Sequence, residues 1–132
     1  TVELPLSFTG EKTAQYNGAP LTVNSDVLVP NASQFSFCAA QSVTATFNGK
    51  FEAPQATLYT IGYHTVDFFK PVSAGTLEVG VRGSGETINL HAAGNAFGNL
   101  LVSYYGSLYL SGENALPLSH TFRWKGDYPD SW

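Results

Sequence analysis

A chain of 132 residues fits one domain, with enough length to bury a core without disulfide or metal staples. Charged residues make up only 12 % of it, and the six Lys and Arg behind the net charge of −4 are scattered at positions 12, 50, 70, 82, 123 and 125. Nucleic-acid binding, which needs clustered cations, is therefore excluded, and no apolar run is long enough for membrane insertion.

Strand signals begin at once and continue to the end, as alternating apolar and Ser/Thr residues punctuated by Gly, Asn and Pro. Val2 to Phe8 reads as the first strand, and Pro5, lacking a backbone donor, suits a sheet edge. Tyr16-Asn17-Gly18 turns the chain into Leu21 to Val29, which Pro30-Asn31 closes; Phe35, Phe37 and Cys38 belong to the next strand. Val43, Ala45 and Phe47 alternate with Thr44 and Thr46 and run into Asn48-Gly49, a strong hairpin signal, so Lys50 to Ala53 is expected to return antiparallel.

Ala56 to Tyr63 and Thr65 to Phe69 follow, both rich in β-branched and aromatic residues. In Gly75 to Arg82, Leu77, Val79 and Val81 share one face, opposite Thr76, Glu78 and Arg82. Gly83-Ser84-Gly85 turns this segment into Thr87 to His91, with Ile88 and Leu90 inward, and Ala92 to Gly98 reads as a small-residue loop. Leu100 to Tyr105 and Ser107 to Ser111 are separated by Gly106, read as a bulge or tight bend. Leu118 to Lys125 is the last strand, with Leu118, His120, Phe122 and Trp124 on one face.

About eight to ten short strands at this spacing predict an all-β antiparallel β-sandwich or jelly roll, with a closed β-barrel as the alternative. The missing crossover helices exclude parallel folds on this reading, and no internal repeat of fixed period is visible. One sandwich domain is expected over residues 1–125, followed by an irregular C-terminal tail over 126–132. The chain starts at Thr1, has no Met and shows no leader pattern, so it reads as part of something longer.

Residues suited to chemistry are few. His64, His91 and His120 lack the short spacings that bring ligands to one metal, and the lone Cys38 reads as a small buried hydrophobe, so no metal or cofactor is expected. Glu52, Asp67, Glu78 and Glu86 are the candidates for paired acid–base work, but Glu78, Arg82 and Glu86 read as a surface ion group. Asp127 and Asp130 flank Tyr128-Pro129 in a loop that suits weak calcium binding less well than a solvated tail. Asn31-Ala32-Ser33 is a glycosylation sequon.

The aromatic residues carry more. Consecutive pairs such as Phe68-Phe69 and Tyr104-Tyr105 put one ring on each face of a strand, so some rings point away from the core. Trp124, Tyr104, Tyr105 and Tyr109 are the expected ligand-binding residues. The expectation is a non-catalytic recognition domain, extracellular or on a virion surface. Its profile is that of capsid-spike and fibre-head attachment or protrusion domains, self-associating as dimer or trimer and presenting loops to a receptor or glycan. Those loops would be Asn17-Gly18, Gly83-Ser84-Gly85 and Gly94-Asn95. The alternative is a monomeric carbohydrate-binding module of a secreted enzyme, with its rings on one sheet.

Overall fold

In the computed structural model every strand pairing is parallel, and the chain winds as a β-solenoid rather than folding as a sandwich, jelly roll or barrel. The structure describes residues 1–10, 13–17, 20–38, 44–61, 65–80, 86–103, 106–111 and 121–125. Thirteen strands are placed among them: β1 (Leu6–Ser7), β2 (Thr13–Asn17), β3 (Leu21–Val23), β4 (Val27–Leu28), β5 (Gln34–Cys38), β6 (Thr44–Phe47), β7 (Phe51–Ile61), β8 (Thr65–Phe68), β9 (Val72–Val79), β10 (Thr87–Leu90), β11 (Ala96–Ser103), β12 (Ser107–Leu110) and β13 (Thr121–Lys125).

Five of these stack in one sheet, in the order β12-β10-β8-β6-β3, and the other eight form a second sheet. In the second sheet β7 pairs with β4 near its start and with β5 near its end, and its register with β9 shifts between Ala53 and Thr57. That sheet therefore presents two faces, and each pass of the chain visits three sides. Residues in register lie from 19 positions apart, as in Leu58 with Leu77, to 24, as in Val27 with Phe51.

Parallel neighbours need a long crossover between them, usually supplied by a helix. Here the crossover from one strand to its neighbour consists of the strands of the other two sides, so the missing helices carried no information about pairing direction. The variable pass length also hides the repeat. Four outer-and-inner quartets, Thr44-Ala-Thr-Phe47, Thr65-Val-Asp-Phe68, Thr87-Ile-Asn-Leu90 and Ser107-Leu-Tyr-Leu110, stack in register despite unequal spacing.

The expected hairpin at Asn48-Gly49 is instead a corner. β6 pairs with β3 and β8, while β7 lies in the other sheet. A two-residue hairpin of the favoured type needs positive φ at both turn residues, and Gly49 does not adopt it. Gly49 is required for space: a Cβ there would collide with the backbone carbonyl of Ser25 one rung away. The expected single strand from Leu21 to Val29 is likewise broken at a corner, into β3 and β4, and part of the expected loop at Ala92 to Gly98 is the start of β11.

Alternation then fills the interior. In β6, β8 and β10 every second residue is buried, giving the stacked columns Ala45, Val66, Ile88 and Phe47, Phe68, Leu90. Rings from all three sides meet in the middle. Phe47 and Phe68 stack at 5.2 Å, Phe51 meets both edge-on at 5.2 and 5.5 Å, and Phe35 meets Phe51 at 5.3 Å. Burying each such ring contributes about 1.5–3 kcal/mol, and each ring pair adds roughly 0.5–1.5 kcal/mol.

Candidate functional site

The corner that follows the five-stranded sheet is marked by one backbone hydrogen bond repeated from rung to rung. Asn24, Asn48, Phe69, His91 and Ser111 each donate N–H to the carbonyl of Val2, Val23, Phe47, Phe68 and Leu90 respectively, at 2.8–3.0 Å. These five residues therefore occupy equivalent positions. At the first rungs the column is an amide ladder: Asn48 Nδ2 donates to Asn24 Oδ1 and Asn24 Nδ2 donates to Glu3 Oε1, both at 2.7 Å.

At the next two rungs the column changes character. The Phe69 ring and the His91 imidazole stack at 4.2 Å with planes 3° apart. His91 Nε2 lies 3.0 Å from Asp67 Oδ1, and because a carboxylate only accepts, the imidazole donates there. Asn89 Nδ2 donates to the same Oδ1 at 2.7 Å. One oxygen of Asp67 thus fixes two neighbours, and its side chain and that of His91 are 20 % and 28 % exposed.

Each member has a polar atom left over. Among the described residues Asp67 Oδ2, Asn89 Oδ1 and His91 Nδ1 make no hydrogen bond. With Nε2 carrying its proton toward Asp67, all three are acceptors on partly exposed side chains. Beside them stand exposed rings: Phe69, 46 % exposed, and Tyr109, 59 % exposed and in register with Asn89 one rung on.

The backbone is irregular at this place as well. Corners at 24–26, 48–50 and 69–71 have three residues, whereas the one after β10 has five, 91–95. Gly94 absorbs the extra length at φ +81°. Asn95, almost fully buried, ties the enlarged corner down: its Oδ1 accepts from Val72 N–H at 2.9 Å and its Nδ2 donates to the Ala92 carbonyl at 2.8 Å. Of the expected contact element Gly94-Asn95, the Asn is thus an internal strut.

Of the expected ligand-binding residues, Tyr109 joins this cluster. Trp124 stands in register with Val102 in the adjoining sheet, and Tyr104 and Tyr105 lie outside the described residues. The same is true of His64, His120, Arg82, Gly83-Ser84-Gly85 and the tail with Asp127 and Asp130. Asn17 ends β2, and Asn31 is exposed before β5.

The carboxylates do not converge. Glu52 is exposed in register with Leu28 and Ser73, and Glu78 lies in register with Tyr59 and Leu101 on another side. Glu86 is fully buried, correcting its expected place in a surface ion group, and only Asp67 stands on the five-stranded sheet. Among the described residues no three His, Cys, Asp or Glu side chains gather as metal ligands. Compared with protein-family models, curated proteins and solved structures, the chain matches none.

Sequence reasoning missed Asn89 and weighed Asp67 and His91 only separately, while the Phe68-Phe69 pair is split as expected, Phe68 buried and Phe69 exposed. The available signal was the quartet pattern, in which Asp67 and Asn89 hold the same place 22 residues apart.

Proposed function

We propose that this is a non-catalytic recognition domain that binds glycan through the outer face of its five-stranded sheet, around Asp67, Asn89, His91, Phe69 and Tyr109. The observation that carries this reading is the set of three unfilled acceptors held rigidly by Asp67 Oδ1 next to exposed aromatic rings. Sugars offer hydroxyl donors and apolar ring faces, and such sites pair a few fixed polar groups with aromatic surface. Contact is made by the sheet face and the corner residues Phe69 and His91 that border it rather than by a projecting loop, because the enlarged corner after His91 is tied inward by Asn95.

Binding is favoured over hydrolysis by the dispersal of Glu52, Asp67, Glu78 and Glu86, since glycosidic cleavage needs two carboxyl groups facing each other across the substrate. A glycan array probed with the wild-type protein and with His91→Ala tests the reading. Binding is expected, with at least a tenfold loss in the variant and an unchanged circular dichroism spectrum. A wild-type protein that binds no arrayed glycan, or a folded variant that binds as well as wild type, overturns it.

A further inference from the structure

Resting on that reading, we infer that the ligand is an extended, uncharged polysaccharide lying along the solenoid axis across four rungs, and not a terminal sugar or a charged chain. Parallel in-register stacking repeats each outward position from rung to rung. One outward column reads Thr44, Thr65, Thr87, Ser107 and the other Thr46, Asp67, Asn89, Tyr109. Successive rungs lie roughly 4.8 Å apart, so the four span roughly 14 Å.

Across the sheet, by contrast, each strand offers two outward positions before the chain turns away at a corner. A ligand lying across a rung would meet those two side chains and at most the corner residue beside them, as at Thr65, Asp67 and Phe69 or Thr87, Asn89 and His91; one lying along the axis meets a hydroxyl on every rung and an acceptor or ring beside it. Repetition along one direction only suits a polymer with its own repeat.

The charge pattern decides between polymer classes. Outward positions of the sheet hold no Lys or Arg, and their single charge is the Asp67 carboxylate. Lys50 and Lys70 are exposed at the corners, beyond the strands. A uronate or sulfate near Asp67 would meet a like charge and be repelled by it. Hydroxyl groups meet only acceptors and other hydroxyls.

Native gels containing mannan, xyloglucan, dextran or mixed-linkage glucan, set beside gels containing polygalacturonate or alginate, test the charge class. Retardation is expected in a neutral polymer and not in the acidic ones. Calorimetry with fragments of the retained polymer, from one to six sugars, then tests the orientation, and affinity is expected to rise at least tenfold between one sugar and four. Tyr109→Ala, within the site, should weaken every fragment, whereas Thr44→Ala at the far end should weaken the six-sugar fragment about tenfold and change the two-sugar fragment less than twofold. A single sugar that binds as tightly as the longest fragment, or equal retardation by an acidic polymer, overturns this inference and leaves glycan recognition standing. Absence of binding to every polymer and to every glycan of the array removes both.

Discussion

The corner at Asn24 and Asn48 and the corner at Phe69 and His91 occupy the same backbone position and do opposite things. Both begin with the same N–H to carbonyl bond to the preceding rung, so the strand stack does not depend on which side chain follows it. In the first pair the side chains satisfy each other along the axis, Glu3 to Asn24 to Asn48. In the second pair the rings stack and His91 leans onto Asp67 of the sheet, leaving unfilled acceptors on partly exposed side chains. A closed ladder holds rungs together; an open cluster on the same scaffold has bonding capacity to offer a ligand.

The sharpest way to break the first corner is through Gly49. Gly49→Ala drives a methyl group into the Ser25 carbonyl and is expected to cost ~3 kcal/mol, measured by urea unfolding. Gly94→Ala in the enlarged corner meets only Pro71 Cγ, in ordinary van der Waals contact at 3.8 Å, and only the positive φ is penalised, by about 1 kcal/mol. Equal costs at the two positions would mean that the corners do not differ in packing.

Asn95→Ala acts on the second corner by leaving the buried Val72 N–H without its acceptor. The expected loss is about 2 kcal/mol, together with weaker glycan binding as the His91 corner loosens; a loss below about 0.5 kcal/mol would show that the strut is dispensable.

The smallest effects separate the two corners most clearly. Asn24→Ala removes two exposed amide bonds and is expected to cost about 1 kcal/mol with glycan binding intact, whereas His91→Ala should cost less than that and lose binding. If Asn24→Ala also abolished binding, the functional division between the corners would fall.

What could be read from the sequence follows from what local pattern controls. Burial of Ile88 and Leu90 and of Leu77 and Val79 follows from two-residue alternation, and that much was legible. Pairing direction was not, because alternation is identical in parallel and antiparallel strands and the deciding feature lies roughly twenty residues away. Asn48-Gly49 misled for a related reason: the dipeptide that signals a hairpin also suits any corner where another backbone passes close by. The site was hidden by the same blindness, since Asp67, Asn89 and His91 become neighbours only once the pass length is known.

Strand pairing here joins residues 19 to 24 positions apart, whichever rung is considered. Each new rung therefore closes a loop of nearly constant length, and its entropic penalty is nearly the same each time. Folding of such a chain can start at any rung and zip outward, each completed rung serving as the template for the next. The Phe35, Phe47, Phe51 and Phe68 cluster, with its dense ring contacts, is the natural place for that zipper to start, and its backbone amides should be the last to exchange with deuterium.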